Sequence, residues 1–326
     1  MASSNRYFSG PGSDKPTNLE LALEFRTIYS RPISVTYNAN GGSGTTASST
    51  GTQYYNSGLP SGGAAVSKES ITLPENGFNR TGYTFNGWGT SSSATSGTAA
   101  GESYSFSNGV TSGSSATLYA IWEANKYTIG YTLNGGTKGT NGPASGTYNS
   151  LVTIDNPAKT FTVNITNSAS GTLSASSASK AQTFAGWTAS GLNTGTAVYG
   201  TTTSPATAWN GTTKVTSKYF KNLRSTSGTV TMVANWTAVA VTLPTLSKAG
   251  YTCKWYTAAS GGSEMGAGGA SWTPSATSAA AVTAYARCTA NTYTITYYLG
   301  NASSTAGATS IGTSTCTYKS SCKLKT

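Results

Sequence analysis

The chain has 326 residues, 37% of them apolar and only 9% charged, and 20 Lys and Arg against 9 Asp and Glu leave a net charge of +11. A surface covered by Ser, Thr, Asn and Gly in place of Lys and Glu is unlike that of intracellular enzymes, and a histidine count of zero excludes His-based triads and general bases. The apolar set leans to Val, Ile, Tyr, Trp and Phe, so the fold class is mainly β.

Residues 1–32 stand apart from the remainder of the chain. The opening "MASSNRYFSGPGSDK" has no apolar core of a signal peptide, and no stretch of the chain reaches the roughly 18 apolar residues of a membrane span. The chain therefore reads as a mature product or a piece of something longer. Within it, "LELALEF" alternates Leu19, Leu21, Leu23 and Phe25 with polar or small residues, the pattern of a half-buried strand. A helix is the alternative, because Thr17 and Glu20 have capping-box spacing, but Glu20 and Glu24 would then repel each other. As a strand without its own repeat, this segment is a candidate for assembly with another chain.

From residue 33 onward the sequence repeats. "ISVTYNANGG" (33–42), "YTIGYTLNGG" (127–136) and "YTITYYLGNA" (293–302) each alternate apolar and polar residues and break at Asn or Gly, as a strand entering a tight turn does. "GYTFNGW" (82–88) returns as "AQTFAGW" (181–187) and, one residue shorter, as "GYTCKW" (250–255). A Leu-Pro segment precedes the first and third of these, "ITLPENGFNRTGY" (71–83) and "VTLPTLSKAGY" (241–251). Closing strands follow as "TLYAIWEAN" (117–125), "TMVANWTAV" (231–239) and "TAYARCTAN" (283–291). The expected units are thus 33–125; 127–239, with "LVTIDNPAKTFTVNITNSASGTLSASSASK" inserted in place of the Leu-Pro segment; 240–291, holding a second half only; and 292–326, a first half.

Units this small depend on a few large aromatics for their interior. Trp88 with Trp122, and Trp187 with Trp236, are expected to anchor one core each, joined by Tyr83, Phe85, Phe184, Tyr251 and Trp255. Burying one such side chain is worth about 4–6 kcal/mol gross. In the third unit Cys253 stands where the first has Phe85, and Cys288 where it has Trp122. Two core positions changed together to cysteine predict a disulfide, and Cys316 and Cys322 are placed to bridge a hairpin. Paired cysteines point to an oxidising compartment. Zinc is the competing reading, disfavoured by the lack of histidine and of a close Cys-x-x-Cys.

With these motifs placed, the sequence resembles the Listeria–Bacteroides repeat, also called the internalin B-repeat, most closely over 33–125. The resemblance implies tandem small β-grasp-like modules in an elongated array, carried by exported surface proteins of bacteria as stalks, spacers or adhesive segments. It brings no catalytic residues and no cofactor. The nine carboxylates are scattered, and the Gly-rich turns lack the spacing of a phosphate loop. The expectation is an extracellular or cell-surface structural or adhesive protein, not an enzyme. Its partners would be itself and host or cell-surface glycans or proteins. Subunits of a filament built by strand complementation, and a module binding glycans or wall polymer, are the alternatives. Nucleic acid is disfavoured because the only basic and aromatic cluster, around Tyr219 and Phe220, is weak.

Overall fold

A computed structural model describes residues 28–56, 65–66, 70–106, 114–166, 169–193, 195–276, 279–299 and 308–323. The segment Leu19–Phe25 lies outside the described residues. Every regular element among the described residues is a strand. The chain divides into two compact units, Met1–Asn79 with Phe85–Trp122, and Arg80–Thr84 with Glu123–Thr326.

In the first unit the opening strand Ile28–Asn38 lies between two neighbours. The return strand Ser49–Asn56 is antiparallel to it and the closing strand Ser114–Ala124 is parallel. The aromatic strand Tyr83–Gly89 adds on the far side of the closing strand. Period-two alternation explains the orientation: Ile33 and Val35 are fully buried while Ser34 and Thr36 are not. A short pair, Ser70–Thr72 with Ser103–Ser105, brings Ile71, Leu73 and Phe106 onto the buried face, where they meet Trp88, Leu118 and Ala120.

The second unit builds the same sheet order twice. In one sheet Lys126–Thr132 lies between antiparallel Ser145–Thr147 and parallel Thr229–Thr237, with Thr183–Ser190 beyond. In the other, Thr160–Thr166 lies between antiparallel Ser177–Ala181 and parallel Ala281–Ala290, with Tyr251–Tyr256 beyond. Each sheet has its own covering pair, Leu151–Thr153 with Tyr219–Lys221 and Val241–Thr242 with Ser271–Trp272.

The stretch read from sequence as an insertion therefore supplies the opening and return strands of the third sheet. The chain lays down the first half of the second sheet, then the first half of the third, then the second half of each in turn. It leaves the second sheet at Lys159 and re-enters at Gln182, whose backbone N–H donates to the Lys159 carbonyl at 2.8 Å. Gln182 also holds the next crossing, where its Oε1 accepts from the Val239 N–H at 2.8 Å. The Leu-Pro place of the second repeat is not displaced. Val152 and Ile154 occupy it, buried as Ile71 and Leu73 are, and the excursion starts after them.

The last strands, Thr292–Tyr298 and Ser310–Thr317, form an antiparallel hairpin. Among the described residues they pair only with each other.

Candidate functional site

Two features recur, an aromatic core and a clasp where one repeat runs into the next. In the first unit Trp88 is buried, with Tyr37 at 4.5 Å and Phe85 at 4.9 Å between ring centroids. Phe85 in turn meets the half-buried Trp122 edge-on at 5.9 Å. Both indoles are tied to backbone, Trp88 Nε1 donating to Pro74 O at 3.1 Å and Trp122 Nε1 to Ala39 O at 2.9 Å. The Leu-Pro motif thus orients the tryptophan with its carbonyl as well as filling space.

The second core repeats this plan. Trp187 is fully buried against Tyr131 and Phe184, and Phe184 meets Trp236 at 5.7 Å. Trp236 Nε1 donates to Leu133 O at 3.0 Å. The Asn of each Asn-Gly turn acts alike too: Asn40 and Asn134 both adopt a left-handed φ, of 48° and 49°. Each sends its Nδ2 to the closing strand, to Ala120 O at 3.0 Å and Ala234 O at 2.9 Å. One element is missing. Asp155 stands where the first repeat has Pro74, and the buried Trp187 Nε1 has no hydrogen-bond partner among the described residues.

In the third sheet Trp255 is buried and its Nε1 donates to Pro244 O at 2.8 Å. Cys253 and Cys288 lie directly opposite each other and are disulfide-bonded, at the register positions that Phe184 and Trp236 share in the second sheet. Cys316 and Cys322 form the second disulfide, at the end of the last hairpin. The shorter motif "GYTCKW" also has its reason here. In the second sheet the pairing shifts between Phe184 and Gly186 (φ 122°), a bulge that leaves Ala185 unpaired, whereas Tyr251 to Tyr256 pair with the closing strand without a break, so the residue fewer is the one the bulge takes up.

Two matching clasps lie within the second unit. The Asn125 N–H donates to Gly82 O at 2.9 Å and its carbonyl accepts from the Tyr148 N–H at 2.9 Å. Thr84 Oγ1 donates to Asn125 Oδ1 at 2.6 Å, and the Tyr83 and Tyr148 rings meet edge-on at 5.6 Å. In the second clasp Asn291, Gly250, Tyr318, Thr252 and Tyr251 take the same roles, with hydrogen bonds of 2.8, 2.9 and 2.7 Å and rings 5.5 Å apart. A cation caps each Tyr at the turn, Arg80 over Tyr83 and Lys248 over Tyr251. The glycines are required twice over. Both have positive φ, 82° and 76°, and a Cβ at either would run into the tyrosine ring. Tyr83 and Tyr251 thus serve the clasps; the cores are held by the tryptophans. The clasp Asn and the second tyrosine were missed by sequence reasoning, although "EAN" (123–125) with "TYNS" (147–150), and "TAN" (289–291) with "TYKS" (317–320), carry a visible echo.

Titration follows burial. Tyr131, whose hydroxyl donates to Pro143 O at 2.9 Å, and Tyr127 are both pushed up to about 12 by burial. Lys254 pairs with Glu264 at 2.8 Å on the surface, and that hydrogen bond holds the Glu264 carboxyl below its usual range.

Residues 34–121 match the family of the Listeria-Bacteroides repeat domain, the family that the sequence motifs of this region resemble. No curated protein and no solved structure matches the chain.

Proposed function

We propose that this chain is a force-carrying surface protein, a stalk or adhesive segment exported from a bacterial cell. The observation that carries the reading is the place of the chain's first and last strands in each sheet. The opening and closing strands are neighbours and parallel in all three, Ile33 opposite Ser114, Thr128 opposite Thr229 and Thr162 opposite Ala281. Tension that enters by one and leaves by the other pulls two parallel strands past each other. Their ladder hydrogen bonds then resist together instead of opening one by one. The clasps, each with three hydrogen bonds and two packed tyrosines, suit transmission from repeat to repeat. Export is supported by the repeat-family match and by two disulfides. Antibody labelling of intact producing cells is the test: surface signal without permeabilisation is expected, and signal confined to lysed cells would overturn the reading.

A second reading, a subunit of an extracellular filament, is favoured by the last hairpin. Its apolar residues lie open, Tyr293 at 50% exposure, Leu299 at 71% and Ile311 at 55%. The positions equivalent to Tyr293 in the complete sheets, Ile33 and Tyr127, are 1% and 3% exposed.

A further inference from the structure

We propose that the open edge of Thr292–Tyr298 receives Leu19–Phe25 of a second copy of this chain as its closing strand, so that copies join head to tail. This rests on the filament reading and specifies its interface. In each complete sheet the opening strand has two neighbours, an antiparallel return strand and a parallel closing strand. Thr292–Tyr298 has the first only, among the described residues. The hairpin is nonetheless held as an acceptor. It is seated by the Asn291 and Tyr318 clasp, and the Cys316–Cys322 disulfide ties down its end.

The donor is recognised by the pattern of the closing strands. Each buries small or apolar residues at alternate positions: Leu118 and Ala120 before Trp122, Met232 and Ala234 before Trp236. Leu21, Leu23 and Phe25 have this spacing, again with the aromatic last. Two of the three closing strands also run directly into the next opening strand, Ser114–Ala124 into Lys126–Thr132 and Ala281–Ala290 into Thr292–Tyr298. Leu19–Phe25 likewise runs into Ile28–Asn38, so the next copy would follow as the next repeat does. Charge favours the match. The donor carries Glu20 and Glu24 and no basic residue, whereas residues 292–326 carry Lys319, Lys323 and Lys325 and no acidic one.

Register follows from the complete repeats. Tyr37 lies opposite Leu118 and Tyr131 opposite Met232, which places Leu21 opposite Tyr297. The test mixes two full-length variants, Leu21→Cys and Tyr297→Cys, under mild oxidation, alongside electron microscopy of the unaltered chain and of Leu23→Glu. The expected result is fibres from the unaltered chain, none from Leu23→Glu with its melting temperature unchanged, and a crosslinked pair from the mixture. Replacing Leu21→Cys with Glu20→Cys should reduce the crosslink severalfold. A synthetic peptide of residues 17–27 should shorten the fibres of the full chain. Fibres that survive Leu23→Glu and give no crosslink would overturn this interface while leaving the filament reading standing. A chain that stays monomeric at all concentrations would overturn both.

Discussion

At the scale of the residue, the three tryptophans of the aromatic strands, Trp88, Trp187 and Trp255, form a natural experiment. Trp88 and Trp255 each give their indole N–H to the carbonyl of a Leu-Pro proline, whereas Trp187 buries its N–H without a partner among the described residues. Replacement by Phe removes a hydrogen bond at the first two sites and an unmet donor at the third. Trp88→Phe and Trp255→Phe are therefore expected to cost ~1–2 kcal/mol more than Trp187→Phe, as read from urea midpoints. The buried tyrosines give a pH prediction. Their folded pKa of about 12 lies above the unfolded value near 10. The folded state thus keeps protons that the unfolded state loses, and stability present below pH 10 falls as pH rises from about 10 to 12. Alkaline denaturation should begin in that window, and Tyr131→Phe should make the slope there shallower. Much at this scale was readable from sequence. Phe85 and Trp122 aligned with Cys253 and Cys288 pointed to the disulfide, because a cross-strand core pair changes together. The clasps were not readable, because Asn125 and Tyr148 meet Gly82 only after the chain has folded back over more than forty residues.

At the scale of the element, strands and turns were legible because alternation and Asn-Gly turns are local signals. Their partners were not. "TFTVNIT" alternates Phe161, Val163 and Ile165 as an opening strand does, but it lacks the Asn-Gly-Gly turn that marks those of the first two sheets. Its parallel partner, Ala281–Ala290, lies more than a hundred residues away. Interleaving has a testable consequence. Lys159 and Gln182 are already hydrogen-bonded backbone to backbone, so excising 160–181 and joining them through a short Gly-containing turn should leave the second sheet folded. The third would lose its opening and return strands. Trp187 is expected to stay protected from quenching, Trp255 to become accessible, and Cys253–Cys288 to reduce readily. Equal loss at both tryptophans would show instead that the two sheets cannot fold apart. Removing the Cys253–Cys288 disulfide alone should cost about 3–4 kcal/mol, measured by urea unfolding of Cys253→Ala/Cys288→Ala.

At the scale of the whole molecule, composition indicated a polar, lightly charged surface, and the motifs indicated tandem repeats. In the force-carrying role proposed above, the shared strand order is what would turn repetition into a mechanical property. The same parallel pairing of opening and closing strands is kept in three sheets, even where the chain must interleave two of them to do so. Gly82 and Gly250 extend that logic to the clasps. Gly250→Ala is expected to weaken the seat of the last hairpin, seen as faster hydrogen exchange in Thr292–Tyr298, while leaving Trp255 buried. The most direct test of the force-carrying account is to stretch single native chains from end to end. Abrupt unfolding peaks separated by regular extensions are predicted, as parallel strand pairs shear apart together. Smooth extension without peaks, like that of an unstructured chain, would contradict it.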